Sequence, residues 1–285
     1  MQKNKKIGAS RKFYSALGGV SFAACGLTLA ALCAVVLFVL IRGTGSLSFH
    51  LLFGEFSSDH PSIFPALMGT LQLIFISILI AVPLGVATAI FLTEYMQGEG
   101  KIVKIIRISV ETLAGIPSIV YGLFGYLVFA VTLGWGYTML GGGITLAIMI
   151  LPTVVRNTEE SLRAVPLGYR EGSFALGAGK VRTIFAVVLP AASSGIVTAV
   201  ILAVGRVVSE SAVLILTIGM VVGNLSLGLT GPGTSLALDV YYFANFGYPK
   251  EAAATAVVLL LLVLGINLTA AFVGKMIRKK YGEIT

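Results

Sequence analysis

Residues 156–190 read RNTEESLRAVPLGYREGSFALGAGKVRTIFAVVLP, a stretch of mixed charge set between two apolar runs at 140–155 and 191–220. Connections this long are uncommon without structure of their own. Leu162, Val165 and Tyr169 recur at helical spacing, Pro166 interrupts the pattern, and Glu171 opens a second short helix ending near Gly177. Gly179 permits a turn, and residues 181–189 lead back to the next apolar run at Pro190. Two short amphipathic helices parallel to a membrane surface are expected.

The rest of the chain explains why a membrane enters the argument. Of 285 residues 57% are apolar and only 11% charged, and the mean hydropathy is +0.98. Soluble domains carry about 25% charge, so 20 basic and 12 acidic residues could not cover a water-exposed globule of this size. A span needs roughly 20 mostly apolar residues, and such runs occur at 17–41, 67–92, 108–133, 140–155, 191–220 and 252–273. An all-α polytopic membrane protein of about six helices is expected. The fourth run is short and can lengthen through Gly141, Gly142 and Gly143. The boundaries expected are an N-terminal tail, first anchor and extracytoplasmic segment at 1–66, a polytopic membrane core at 67–275, and a tail at 276–285.

Seventeen of the 20 basic residues fall on one set of flanks: before the first run, between the second and third, between the fourth and fifth, and after the sixth. The positive-inside rule then places both termini in the cytoplasm. The net charge of +8 is thereby explained by topology rather than by nucleic acid, whose readers gather basic residues on one accessible face. The first run is too long for a cleaved signal peptide and reads as an anchor. The segment 221–251 is too broken by Gly and Pro to span and too apolar to float; it either caps the bundle or forms a re-entrant, partner-facing surface.

No catalytic constellation emerges. His50 and His60 lack neighbouring ligands and read as solvated loop residues; Cys25 and Cys33 lie in one apolar run and read as lipid-embedded thiols. The sequon at 224–226 carries no meaning in this context. Gly177, Ala178, Gly179 and Lys180 resemble half of a phosphate-binding loop, but Phe174 stands where its first Gly belongs and Val181 where its Ser or Thr belongs. The chain is therefore expected not to be an enzyme and to hold no cofactor or metal.

The spacing of Glu171, Gly177, Val187, Leu189 and Pro190 is similar to the signature loop of importer-type ABC permeases, with Gly172 and Ser173 replacing its two alanines and Val187 its isoleucine. LAGIPSIVYGLFG in the third run, LPTVVRNTEESLRAVP after the fourth, and VLPAASSGIVTAVILAVGRVVSESAVL in the fifth resemble the phosphate importer permeases, the PstA-like subunit before its PstC-like partner. The resemblance covers about residues 66–275. It implies the type I importer permease fold and a loop that docks in a groove of a separate ATPase. It further implies a homologous second permease, two ATPase subunits that use ATP and Mg, and an extracytoplasmic phosphate-binding protein. In this reading the small residues at Ser173, Ala175 and Gly177 permit close docking, Glu171 places charge near a helix N-terminus, and Leu189 with Pro190 stiffens the path to the fifth span.

Arg206 and Glu210 lie four apart in the fifth run and would share a helical face. Each charge costs at least about 2.5–3.5 kcal/mol within a bilayer, so the pair is a candidate for substrate path or gating, with a static structural pair as the alternative. Arginine matches an oxyanion with a planar fork that Glu210 could hold when the path is empty. Arg156, at the cytoplasmic end of the fourth run, is the second path candidate by resemblance, or else a membrane anchor. Glu111 is expected to snorkel, Asn267 to bond between helices, and Pro83 with Gly85 and Pro117 with Gly115 to kink their spans. A molybdate or sulfate permease, a secondary transporter with Glu210 as proton carrier, and a membrane sensor or scaffold remain the rival functions.

Overall fold

The computed structural model describes residues 2–54, 56–57, 61–96, 100–223 and 228–281, with side chains from 17 to 276. His60 and the sequon lie outside the described residues. A long α1 (Gln2–Thr44) and a short α2 (Phe49–Phe53) precede α3 (Phe64–Ile90), which continues as a π-helical turn over Phe91–Tyr95. There follow α4 (Lys101–Ala114), α5 (Ser118–Gly125) with a π-helical extension Tyr126–Thr132, α6 (Met139–Arg163), α7 (Leu167–Ala175), and α8 (Lys180–Thr183) with a π-helical Ile184–Val188. The chain closes with α9 (Leu189–Val208), α10 (Ala212–Thr217), α11 (Leu236–Asn245) and α12 (Pro249–Tyr281). Among the described residues there is no strand. Five helical stretches are long and apolar enough to cross a membrane, and α4 with α5 makes the sixth as a bent pair.

The centre of the bundle is α6, which packs against α3, α9 and α10. Its first turn carries the three glycines 141–143 as helix, capped by Thr138 Oγ1 accepting from Gly141 N at 3.1 Å. Their smallness lets backbones close up: a Cβ on Gly143 would stand 2.5 Å from Ile76 Cγ2, and one on Gly85 2.7 Å from Val154 Cγ1. Gly85 is thus a contact between α3 and α6, and α3 runs through Pro83 as one element. Leu73, Leu146, Ile150, Val154, Leu214 and Ile218 fill the core. Hydroxyls within the spans return their protons to their own helices, as Thr70 does to Ala66 O (2.7 Å) and Ser77 to Leu73 O (2.6 Å), because hydrocarbon offers no other acceptor.

Two of the apolar runs are broken, the third at its expected proline kink and the fifth where no break was expected. The third bends by 101° between α4 and α5, where Pro117 supplies no N–H and biases Ile116 away from helix. The freed Leu113 carbonyl accepts from Tyr121 Oη at 2.7 Å. The fifth span begins earlier and ends earlier than its hydropathy suggests, running Lys180–Val208, with a break before α10. Within 221–251, α11 buries Leu236, Leu238 and Phe243 against α3 and α12 and caps the bundle. Leu236 N donates to Thr70 Oγ1 at 2.9 Å. Asn267 is exposed on α12 and forms no interhelical bond among the described residues, because that part of the helix faces outward. Cys25 and Cys33 are likewise exposed, on the outer face of α1.

Candidate functional site

The loop between the fourth and fifth spans is more helical than its charge pattern suggests. Helix α6 continues through Arg156 to Arg163, so the stretch expected as the start of a first surface helix is the end of a span's own helix. Pro166, extended at φ −55° and ψ 139°, caps α7. Glu171 is therefore the middle of α7 rather than its first turn, and the N-terminal dipole argument for it fails. The other end is as expected: Gly177 has φ +80°, and Gly177 N and Ala178 N donate to Phe174 O (2.9 Å) and Ser173 O (3.1 Å). That left-handed turn, natural to glycine, closes the helix. No residue of α7 is buried; Leu176, just past its end, is 91% exposed. A cavity of about 450 Å³ lies beside it, lined by Gly172, Ser173, Gly177, Arg182 and Val187 among others.

On the membrane side the loop is tied down by residues absent from the sequence-based site. Arg170 reaches Glu94, at the end of α3, with Nη2 2.7 Å and Nε 3.1 Å from Oε1. Lys180 Nζ stands 4.8 Å from the centroid of the Tyr95 ring. Val188 is buried against Ala89, Leu162 and Ala192, with Leu189 packed beside them. Pro190 sits in the first turn of α9, where its missing N–H costs nothing. One signal for Glu94 was in the sequence: an acid at the end of an apolar run, on the side where the basic residues gather, needs a partner.

The expected Arg206–Glu210 face is not formed. Arg206 lies exposed in the last turn of α9, which ends at Val208, and Glu210 falls in the break beyond it. Glu210 Oε1 instead accepts from Val213 N at 3.2 Å, capping α10. The i, i+4 argument needs a continuous helix, and this one stops two residues short. Arg206 has no ion pair among the described residues.

Arg156 sits at the other charged place, a cavity of about 260 Å³ between α4 and α6. Its Nε is 3.3 Å from Glu160 Oε1, with the arginine side chain 71% exposed, a pair worth about 0–1 kcal/mol. Glu159 Oε1 accepts from both Arg107 (2.9 Å) and Arg163 (2.8 Å). Glu111 also lines this cavity; Arg206 and Glu210 do not. Among the described residues no group of three or more His, Cys, Asp or Glu side chains could hold a metal ion.

Residues 81–282 match the family model described as the binding-protein-dependent transport system inner membrane component. The chain belongs to that family. This ABC importer permease is 35% identical over 290 aligned residues to the probable ABC transporter permease protein YqgI of Bacillus subtilis, covering 95% of this chain and 98% of the relative. It is 36% identical over 217 residues to the phosphate transport system permease protein PstA 1 of Mycobacterium tuberculosis, with 74% and 70% covered. Its fold matches that of the MetNI methionine ABC transporter in an inward-facing conformation, with a TM-score of 0.60 at 20% identity, covering 84% of this permease and 96% of the other chain. The all-α architecture is thus that of type I importer permeases.

Proposed function

We propose that the chain is the permease subunit of an ATP-driven importer of inorganic phosphate. It provides half of the translocation path beside a PstC-like second permease, receives phosphate from an extracytoplasmic binding protein, and is driven by two ATPase subunits that hydrolyse ATP with Mg. The chain itself carries path and coupling and no chemistry, and it resides in a bacterial-type cell (inner) membrane with both termini cytoplasmic. The observation that carries the coupling reading is α7, a short helix with no buried residue and an exposed Leu176 at its end. A docking helix must present such a surface, since a buried apolar anchor supplies much of an interface's affinity. Phosphate as the anion is supported by the phosphate permease relatives.

In this function Glu171, Gly172, Ser173 and Gly177 meet the ATPase, while Val187, Leu189 and Pro190 pass its motion into α9. Arg206 and Arg156 handle the anion at two levels of the path, and Glu210 holds the start of α10 so that Arg206 stays at a helix end. The arginine at a helix C-terminus is stabilised by the exposed carbonyls there and is free to offer its fork to an oxyanion.

Radioactive phosphate uptake into inside-controlled vesicles, with and without ATP and the ATPase, tests the assignment. ATP-dependent uptake that excess sulfate or molybdate does not suppress is the expected result. Uptake driven by a proton gradient with no ATPase present overturns it.

A further inference from the structure

We infer that Glu94 and Tyr95 are the receiving end of a two-cation clamp through which the coupling loop moves α3, so that the loop drives the second span directly as well as the fifth. This rests on the coupling role proposed for the loop.

The first jaw is Arg170. Its Nε lies 3.1 and 3.4 Å from the two Glu94 carboxylate oxygens, and its Nη2 lies 2.7 Å from Oε1. The same guanidinium donates from Nη1 to Val165 O and from Nη2 to Leu162 O, both at 2.9 Å. One side chain of α7 thereby holds the end of α6, the connector after it and the end of α3. The Arg170 and Glu94 side chains are only 16% and 9% exposed. A shielded forked pair fixes orientation as well as distance. Parting it would strand a desolvated charge, unlike the slack pairs of a wet surface.

The second jaw is Lys180 at the start of α8, over the Tyr95 ring. Ser173 Oγ and Thr183 Oγ1 stand 2.9 Å apart, which joins α7 to α8, so the two cations move together. Between them they grip two consecutive residues of the turn that prolongs α3. Helix α3 in turn lies against α6 across Gly85 and Gly143, so a displacement of its end is carried into the centre of the bundle. Arg170 and Glu94 are positioning residues: neither has to touch substrate.

The test uses the assembled complex in proteoliposomes and reads phosphate moved per ATP hydrolysed. Glu94→Gln and Arg170→Lys should retain the ATPase on co-purification yet lower that ratio by about tenfold or more, the loss of one charge-assisted bond. In a background with Cys25 and Cys33 replaced by serine, Glu94→Cys with Arg170→Cys should be similarly uncoupled. A short reducible thiol linker between the two positions should restore the ratio, and cleaving it should abolish the ratio again. A wild-type ratio in Glu94→Gln, or a linker without effect, overturns the clamp. If every variant, Arg170→Lys included, loses the ATPase, the pair serves folding alone and the clamp also falls. Failure of the wild-type loop to bind any ATPase would instead remove the coupling role on which the clamp rests.

Discussion

Asp239 sits in α11 with none of its surface exposed. Thr234 Oγ1 donates to one carboxylate oxygen, and the other has no partner among the described residues. Burial pushes this acid up to about 7 from 3.8, against the smaller lowering effect of the Thr234 bond. Its folded state therefore keeps a proton that the unfolded chain releases, so stability falls as pH rises from about 4 to about 7 and levels off above. Asp239→Asn should flatten that decline and be no less stable than wild type at pH 8, as read by melting temperatures in detergent across this range. Gly177 poses a different constraint, since its φ of +80° is costly for any branched side chain. Gly177→Val should reopen the end of α7 and cut ATPase co-purification several-fold, by the roughly 1–3 kcal/mol of a strained residue. The glycine was legible from the spacing of the motif. The Glu94–Arg170 pair was not, because its partners are 76 residues apart and only the packed bundle brings them together.

At the level of elements, hydropathy finds where the chain is apolar and says little about where a helix stops. The runs at 108–133 and 191–220 are each apolar enough on average to span, yet the chain breaks at Gly115–Pro117 in one and at Ser209–Ser211 in the other. The first break was legible as a proline with a neighbouring glycine. The second has no proline or glycine within it, and only the cap that Glu210 gives to Val213 N marks it. That difference reassigns two charges: Glu210 becomes a cap, and Arg206 remains a cation at a helix end with no ion pair among the described residues. Arg206→Gln should lower phosphate uptake by roughly tenfold to a hundredfold, the range for loss of a bond to a charged group. Co-purification of the complex should be unchanged. Uptake at the wild-type rate would make the arginine dispensable to the path.

Over the whole molecule, the expectation of six crossings stands if the bent α4–α5 pair counts as one. An even number returns the C-terminus to the side of the basic N-terminal tail. A fluorescent protein fused after Thr285 should then fluoresce, and alkaline phosphatase fused there should stay inactive; active phosphatase would reverse the orientation. The class of fold was readable because charge scarcity and the distribution of bases depend on composition along the chain alone. Which helices touch was not readable, since the small residues that set it, Gly85 and Gly143 among them, look alike whether they hinge or pack.

The wide turns at Phe91–Tyr95 and Ile184–Val188 stand at the two places where the loop meets the spans it would drive. Each such turn holds one residue more than an ordinary helical turn and closes its bonds five residues apart, as Met96 N does to Phe91 O at 3.1 Å. A residue inserted in this way turns every side chain beyond it by about 100° relative to an uninterrupted α-helix, so the face each of these spans presents to the bundle is set at the turn where the loop meets it.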